Sequence, residues 1–205
     1  MEAISLLSGM GGDTLGMTLA GIKVIAYSEK EPVFRKTHEE NFIGSKLIGD
    51  GDILNTTDAE FGVYKGGTLT QLRNDLDDSY ELFGFDSFEG LPEDWTGTNC
   101  KKGGLSTEGF IPTIQGVKMF PGWFTETIPE YVKEKQTFAL LHCDADLYSS
   151  TIDILYKLND CIKPGTIIVF DEWYYNHKDT EANRQHEQKA FYEWVADNNR
   201  EYEIQ

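Results

Sequence analysis

The sequence predicts an α/β protein built on a doubly wound, mainly parallel β-sheet. Segments of strand length alternate with segments of helical periodicity along most of the chain. Residues 138–143 form a strand candidate that is apolar without alternation, as expected when helices cover both faces of a sheet. Glycine-rich turns follow two of the strand candidates, at the position where such sheets bind ligands. The 205 residues suffice for one domain of this kind with a small addition.

The same alternation divides the chain into two parts. The expected strands, in chain order, cover residues 3–7, 23–27, 46–48, 59–64, 80–86, 117–120, 138–143, 166–170 and 202–204. The expected helices run from the turn at residues 9–12 to residue 20, and then cover residues 31–42, 68–74, 126–135, 149–160 and 181–198. We expect a partial βαβα unit at residues 1–57 and the main domain at residues 58–205. Residues 87–116 lack such a pattern, which is typical of a lid or a disordered segment, and we expect a mobile substrate lid.

Charge and cysteine content limit the partners and the compartment. The formal net charge of −17 argues against nucleic acid, because a protein that binds phosphates needs a basic surface. It favours a cationic ligand, a metal ion or a neutral small molecule. The three cysteines lie far apart, as in proteins of the reducing cytoplasm. No apolar run approaches the roughly 18 residues of a membrane span and no signal peptide opens the chain, so we expect a soluble cytoplasmic protein without a membrane partner. A homodimer is compatible with the sequence.

A glycine-rich turn in the second part of the chain is a candidate cofactor site. Residues 60–68 contain Gly62, Gly66 and Gly67 at a strand-to-helix turn, and Asp86 ends the next strand candidate. Glycines let the backbone approach a ligand closely, and the free N–H groups of a helix start point towards it. An acidic side chain at the end of the next strand can accept hydrogen bonds from both hydroxyls of a ribose. A tight turn without a ligand is the alternative interpretation.

Acidic side chains follow two buried strand candidates. Asp144 and Asp146 follow the first, and the two-residue period of a strand sends both to the same side while the strand lasts. Asp171 and Glu172 follow the second. If the two strands are neighbours in the sheet, these carboxylates converge beyond the strand ends and repel one another unless a cation lies between them. All-oxygen ligation favours Mg²⁺, with Mn²⁺ and Ca²⁺ as alternatives. The other interpretation is that the acids cap helices or lie in solvent, and Asp146 directly precedes a helix.

The first 57 residues resemble the cofactor-binding start of the DNA cytosine-5 methyltransferases. The resemblance rests on residues 5–29, with Gly9-Met10-Gly11-Gly12 after a strand and Glu29 at the end of the next. That family uses a Pro-Cys loop to attack the base, and the chain contains no Pro-Cys pair. We therefore do not expect DNA cytosine methylation. The turn at Gly9–Gly12 either binds a ligand or is only a tight turn.

From residue 60 onward the chain resembles the macrocin O-methyltransferase-like enzymes, which methylate sugar hydroxyls. The matching segments are residues 60–68, 84–92, 122–124, 141–151 and 170–172. Both families use S-adenosylmethionine. The resemblance implies a Rossmann-like class I methyltransferase sheet and a metal-assisted O-methyltransferase, with Mg²⁺, that acts on a sugar or another polyhydroxylated small molecule. The alternatives are a fragment derived from a DNA cytosine methyltransferase and a non-catalytic cofactor-binding domain.

The resemblance also implies roles for individual residues. It makes Asp144, Asp171 and Glu172 metal ligands and Asp146 the general base, although the family often has Asp at the position of Glu172. The residues predicted to contact the cofactor are Glu60, Gly62, Tyr64, Gly66, Gly67, Thr68, Asp86, Ser87, Trp123 and Asp144. For Trp123, packing in the core is the alternative to a place in the adenine pocket. His142 and Cys143 lie on a buried strand candidate, and we expect both to be packed core residues.

Overall fold

The computed structural model describes residues 2–5, 23–27, 32–41, 46–47, 56–76, 81–133, 137–174, 181 and 183–204. A small parallel sheet contains β1 (Glu2–Ser5), β2 (Lys23–Tyr27) and β3 (Lys46–Leu47) in that spatial order. Helix α1 (Pro32–Asn41) connects β2 and β3. The three strands and the helix overlap the segments predicted for them, whereas the turn at Gly9–Gly12 and the helix predicted after it lie outside the described residues. The partial unit at residues 1–57 stays a prediction.

A second sheet carries the larger part of the described chain. Its strands are β4 (Thr56–Phe61), β5 (Leu82–Asp86), β6 (Val117–Pro121), β7 (Thr137–Cys143) and β8 (Ile167–Phe170). The helices that accompany it are α2 (Gly67–Asp75), α3 (Phe124–Val132), α4 (Tyr148–Lys157) and α5 (Glu187–Asp197). A short 3₁₀ helix, Asn183–Gln185, precedes α5.

All five strands of the second sheet run parallel, in the order β6-β5-β4-β7-β8. The chain moves outward from β4 through β5 to β6, and then returns to the other side of β4 for β7 and β8. The order therefore reverses between β4 and β7. In open parallel sheets, ligands bind at the carboxyl ends of the strands where this reversal occurs.

Apolar side chains form a core on each face of the second sheet. On β5, Phe83 and Phe85 join the larger core, in which α3, α4 and α5 bury side chains such as Tyr131, Leu155 and Trp194. The alternate residue Leu82 joins a smaller core with Leu69 and Leu72 of α2. Successive strand residues point to opposite faces, so helices cover both faces. The predicted doubly wound, parallel α/β fold is confirmed.

One predicted strand end and one predicted strand are wrong for local reasons. The strand predicted at residues 59–64 ends at Phe61, because Gly62 and Tyr64 have φ values of +97° and +49°, which no β-strand accommodates. Residues 202–204 form no strand; instead the ring of Tyr202 packs edge-on against Phe191, with centroids 5.1 Å apart. Side-chain packing on α5 therefore holds this segment in place of strand pairing.

No helix among the described residues is long and apolar enough to cross a membrane.

A buried aspartate stabilises an irregularity between the two central strands. The β4–β7 register shifts between Thr57 and Asp58, so that Ala139 has no partner on β4. The Asp58 carboxylate accepts a hydrogen bond from the Leu140 N–H at 3.0 Å, and its side chain is buried. Burial raises the pKa of Asp58 to about 6, although the Leu140 N–H and the charge of Arg73 oppose the shift.

We predict that Asp58→Asn stabilises the protein near pH 7 and not near pH 4. The Asp58 carboxyl binds its proton more tightly in the folded protein than in the unfolded chain. Protonation of Asp58 therefore contributes its full stabilisation below about pH 4, and this stabilisation is lost as the pH rises through about 6. A shift of about two pKa units corresponds to about 3 kcal/mol, and the asparagine oxygen can still accept the Leu140 N–H. Urea unfolding of Asp58→Asn and of the exposed control Asp160→Asn measures the difference. A gain of about 1–3 kcal/mol that appears only near neutral pH is expected, and a pH-independent difference would contradict it.

Candidate active site

The glycine turn begins where β4 ends and leads directly into α2. Gly62 has a φ of +97°, and Gly66, the N-cap residue of α2, has a φ of +79°. The Gly66 N–H donates to the Val63 carbonyl at 2.8 Å and closes the turn. A Cβ atom on Gly67 would meet nothing within 4 Å, so the start of α2 opens onto free space. This is the cradle that a ligand needs at a helix N-terminus.

Asp86 connects the end of β5 to this turn. One carboxylate oxygen accepts the Tyr64 N–H at 2.7 Å, and the other accepts the Phe88 N–H at 2.6 Å. Asp86 therefore fixes the backbone of the glycine turn and of the segment that follows β5. Each carboxylate oxygen can accept more than one hydrogen bond, so Asp86 retains acceptor capacity for ribose hydroxyls.

The turn touches the acidic segment that follows β7. The Asp144 N–H donates to the Phe61 carbonyl at 2.8 Å. A Cβ atom on Gly62 would lie 1.7 Å from the Asp144 carbonyl oxygen, which is far inside van der Waals contact. Only glycine allows this approach, and it brings the candidate cofactor turn into contact with the candidate acid site.

The condition for convergence of the two acidic segments, that their strands are neighbours in the sheet, is met. Strands β7 and β8 are parallel neighbours, with Cys143 opposite Phe170, and the Asp171 N–H extends the ladder to the Cys143 carbonyl at 3.1 Å. Asp144 and Glu172 are half-buried, and Asp171 is exposed. The acids thus follow adjacent strands at one edge of the sheet.

Asp146 has a different setting from the one that strand periodicity predicts. β7 ends at Cys143, and Asp146 has a left-handed φ of +60°, so the two-residue period does not extend to it. It is buried, and Leu147 rather than Asp146 is the N-cap residue of α4. A non-glycine residue in this conformation stores strain, which is common at functional sites.

The acidic side chains raise one another's pKa. Burial raises the pKa of Asp144 to about 7, and the charges of Asp171 and Glu172 add to the shift. Burial likewise raises the pKa of Asp146 to about 7, with Asp144 as the next cause. Burial and Asp171 also raise the pKa of Glu172. Among the described side chains that act on the pKa of Asp144, only His142 opposes the rise.

A hard divalent cation fits the chemistry of these donors, because a positive charge between carboxylates removes the repulsion that raises their pKa values. Within the described parts of the chain, however, no group of three or more His, Cys, Asp or Glu side chains is arranged to hold a metal ion. The carboxylates would have to come closer together than they lie in this structure. The metal-ligand roles of Asp144, Asp171 and Glu172 stay predictions.

Glu60 and His142 form a buried cross-strand pair that the sequence did not reveal. They face each other across β4 and β7, with the His142 Nδ1 3.4 Å from Glu60 Oε2. Burial raises the pKa of Glu60, and His142 moderates the shift. Burial alone lowers the pKa of His142, but Glu60, Asp144 and Asp171 raise it above its ordinary value. The expectation that His142 is only a packing residue is incomplete, whereas Cys143 is fully buried as expected.

Glu187 is a further carboxylate beside the acid site that sequence analysis missed. It is the first residue of α5 and is 0% exposed. Its Oε2 accepts the Glu172 N–H at 2.9 Å. Burial raises the pKa of Glu187 well above its ordinary value. The hydrogen bond from the Glu172 N–H lowers this pKa, and the charges of Glu172, Asp146 and Asp144 raise it further. A glutamate in a first helical turn is an ordinary feature of sequences, so no local signal distinguishes this one.

The remaining predicted cofactor residues lie around the same edge. Thr68 is exposed on the first turn of α2. Ser87 is half-buried, and its hydroxyl oxygen accepts the Glu89 N–H at 3.1 Å. Trp123 is half-buried at the N-cap position of α3, directly after β6. Their contact with a cofactor stays a prediction.

Residues 87–116 contain no helix or strand, yet they form a hydrogen-bonded loop that spans both parts of the site. Leu91 and Trp95 pack with Leu147, which begins α4 beside the acid site. At the other end, Pro112 and Ile114 lie against Gly66 of the glycine turn. The position suits the expected lid, and its mobility stays a prediction.

Solved structures with the same fold are methyltransferases. A calicheamicin methyltransferase, CalS11, superimposes with a TM-score of 0.59 and 23% identity, over 74% of this chain and 69% of that one. The O-methyltransferase NovP superimposes with a TM-score of 0.52 and 24% identity, over 72% of this chain and 66% of that one. The fold is thus the Rossmann-like fold of these methyltransferases.

The sequence is similar to named O-methyltransferases. Residues 113–192 match the macrocin-O-methyltransferase family (TylF). The 8-demethyl-8-(2,3-dimethoxy-alpha-L-rhamnosyl)-tetracenomycin-C 4'-O-methyltransferase of Streptomyces olivaceus is 28% identical, over 60% of this chain and 53% of its own. The demethyldecarbamoylnovobiocin O-methyltransferase of Streptomyces niveus is 27% identical, over 65% of this chain and 56% of its own. The mycinamicin III 3''-O-methyltransferase of Micromonospora griseorubida is 25% identical, over 60% of this chain and 55% of its own.

The predicted resemblance to macrocin O-methyltransferase-like enzymes is therefore confirmed. The aligned part spans little more than half the length of these three curated relatives, at 53%, 56% and 55%.

We predict that Gly62→Ala is severely destabilising and Gly67→Ala is not. The new methyl group at position 62 would overlap the Asp144 carbonyl in a backbone conformation that alanine disfavours, whereas position 67 is open and helical. Strain and overpacking together cost about 2–4 kcal/mol. Gly67→Ala should change stability by less than about 1 kcal/mol, in the stabilising direction. Thermal and urea unfolding of both variants measures this, and equal stability of the two would refute the close approach.

Proposed function

We propose that the protein is an S-adenosylmethionine-dependent, metal-assisted O-methyltransferase that acts on a hydroxyl group of a sugar or another polyhydroxylated small molecule. The observation that carries the proposal is the contact between Gly62 and Asp144, which joins a cofactor-type turn to an acidic site at one edge of the sheet. The relatives support the acceptor class, since the tetracenomycin-modifying enzyme is named for a rhamnosyl substrate.

The turn at residues 62–67 and Asp86 would hold S-adenosylmethionine. When bound, this molecule supplies an electrophilic methyl group on a sulfonium sulfur. The open start of α2 offers backbone N–H groups, and Asp86 offers acceptor capacity for the ribose. Asp144 lies against the turn, so an acceptor hydroxyl at the acid site would be close to the methyl donor, and positioning would supply much of the acceleration.

Asp144, Asp171 and Glu172 would hold a divalent cation, with Mg²⁺ favoured by all-oxygen ligation. Such an ion, when bound, lowers the pKa of a hydroxyl group and stabilises the alkoxide. Asp146 would accept the hydroxyl proton as general base. Its burial shields this carboxylate from solvent.

The proposal extends to the domain organisation, the cellular compartment and the partners of the protein. We propose a partial βαβα unit at residues 1–57 and a methyltransferase domain at residues 58–205; the separation of β1–β3 from the larger sheet supports this division, although β4 already begins at Thr56. All three cysteines are free, which fits a reducing cytoplasm. The net charge of −17 disfavours nucleic acid as a partner. A homodimer stays a prediction.

Asp86→Ala should weaken the binding of S-adenosylmethionine by about tenfold or more. It removes a charged acceptor that fixes the turn and would bind the ribose, and each such hydrogen bond contributes about 1.5–3 kcal/mol. Isothermal titration calorimetry measures the affinity, with the exposed Glu89→Ala as the control for lost charge. Unchanged affinity in Asp86→Ala would place the cofactor elsewhere, for example at the Gly9–Gly12 turn.

Asp146→Asn should lower turnover by at least about 100-fold and leave the affinity for S-adenosylmethionine unchanged, because a general base contributes about 10²–10⁴ in rate. The assay follows release of S-adenosylhomocysteine with a panel of glycosides that includes an α-L-rhamnoside, in the presence of Mg²⁺. Asp153→Asn is the control, since Asp153 pairs with Lys157 on the outside of α4. Wild-type turnover by Asp146→Asn would remove this residue from the mechanism.

A further inference from the structure

A pocket of about 430 Å³ lies in the loop that follows β5, apart from the glycine turn and the acidic segments. The residues that line it are close together in the sequence: Trp95, Gly97, Thr98, Asn99 and Cys100. Proteins hold small ligands in pockets of about 300–1,000 Å³. This pocket, which we call the loop pocket, is at the small end of that range, and its size suits a ligand of one or two rings.

Hydrogen bonds within the loop give the loop pocket a fixed shape. The Trp95 N–H donates to the Cys100 carbonyl at 3.0 Å, and the Thr98 N–H donates to the Trp95 carbonyl at 3.1 Å. The Thr98 hydroxyl donates to the same Trp95 carbonyl at 3.0 Å and accepts the Cys100 N–H at 3.0 Å. Because the lining is already ordered, a ligand that binds here does not have to order it, which favours binding.

Contacts with the starts of two helices hold the loop pocket beside the acid site. Trp95 packs with Leu147, the residue that directly follows Asp146. The Thr96 carbonyl oxygen lies 3.0 Å from Nε2 of His186, the N-cap residue of α5. An acceptor with its reacting hydroxyl at Asp146 therefore has the loop pocket within reach of its neighbouring part.

The side chains of the lining suit a neutral ring that carries hydroxyl groups. None of the five described lining residues is charged, and the nearby charges of Asp94 and Lys101 pair with each other at 3.1 Å. Asn99 is exposed, and its side-chain amide can both donate and accept hydrogen bonds, as a hydroxyl group does. Trp95 contributes an apolar indole, which suits the C–H groups of a sugar ring.

We propose that the loop pocket is an acceptor subsite that binds a neutral, hydroxylated ring next to the ring that is methylated, with Asn99 as a hydrogen-bonding contact. The packed pair Trp95 and Leu147 lies between the loop pocket and Asp146, so the two rings are different ones. The proposal rests on the proposed function, because it places the acceptor at Asp146. The predicted cation has no part in it.

The test follows binding to the ¹⁵N-labelled full chain by the chemical shifts of its backbone amides. The probes are methyl α-L-rhamnopyranoside and, as an apolar ring of similar size, benzyl alcohol. Asn99→Leu removes the amide at similar volume, Asn99→Gln retains an amide, and Asn74→Leu is the matched control at an exposed asparagine of α2. Thermal unfolding confirms that each variant folds, and Asn99→Ala replaces Asn99→Leu if that variant does not.

The glycoside should shift the amides of residues 97–100 in a saturable way, and benzyl alcohol should not. Asn99→Leu should weaken this binding by about 3-fold to 10-fold, the equivalent of one lost hydrogen bond, while Asn99→Gln and Asn74→Leu bind more tightly than Asn99→Leu. Unshifted amides at residues 97–100 would overturn the subsite. Tighter binding of benzyl alcohol would overturn its preference for hydroxyl groups, and unchanged affinity in Asn99→Leu would remove Asn99 from it.

Methyl-transfer kinetics separate this proposal from the proposed function. Asn99→Leu should raise KM for a rhamnosyl-rhamnoside by about 3-fold to 10-fold more than KM for methyl α-L-rhamnopyranoside, because only the disaccharide has a second ring. An equal effect on both would overturn the assignment to the neighbouring ring. If no glycoside is methylated, the proposed function fails, and the amide shifts still decide whether the loop pocket binds a hydroxylated ring. Methylation without shifts at residues 97–100 would overturn the subsite alone.

Discussion

The close approach of Gly62 to the Asp144 carbonyl is the constraint on which the site depends. It occurs between β4 and β7, where the strand order reverses, the place at which open parallel sheets bind ligands. The hydrogen bond from the Asp144 N–H to the Phe61 carbonyl continues the strand ladder up to this point. Because no side chain fits at Gly62, the glycine turn and the acidic segment meet through backbone atoms, and their separation does not depend on flexible side chains.

The acidic segment of the site is distinguished by the raised pKa values of its carboxyl groups. Burial and mutual repulsion raise the pKa values of Asp144 and Asp146 to about 7, which is unfavourable for a folded protein near neutral pH. A site that keeps several partly buried carboxylates together despite this cost is suited to bind positive charge or to take up a proton. Both properties are what activation of a hydroxyl group requires.

Sequence reasoning found the features that depend on local pattern and strand order. The parallel sheet and the turn at Gly62 follow from periodicity and from where glycines interrupt it, whereas the adjacency of the strands before Asp144 and Asp171 entered only as a condition, which the structure fulfils. It failed for Asp146, because the left-handed φ of a single aspartate has no signature in sequence. The final strand was wrong because packing of Tyr202 on Phe191, and not strand pairing, holds the end of the chain.

The contacts that the sequence did not reveal join segments that are distant along the chain. Glu60 and His142 meet only because the β4–β7 register places them opposite each other, and that register includes an irregularity at Asp58. Glu187 reaches the Glu172 N–H only because α5 packs beside β8. Such contacts require the tertiary arrangement, and neither propensity nor spacing along the chain encodes it.

The most direct test of the account is a crystal structure of the protein soaked with S-adenosylhomocysteine and Mn²⁺, recorded at the manganese absorption edge. The ligand should lie on the turn at residues 62–67 with its ribose at Asp86, and one anomalous peak should lie between Asp144, Asp171 and Glu172. A ligand bound at Gly9–Gly12, or an anomalous peak away from these carboxylates, would contradict it.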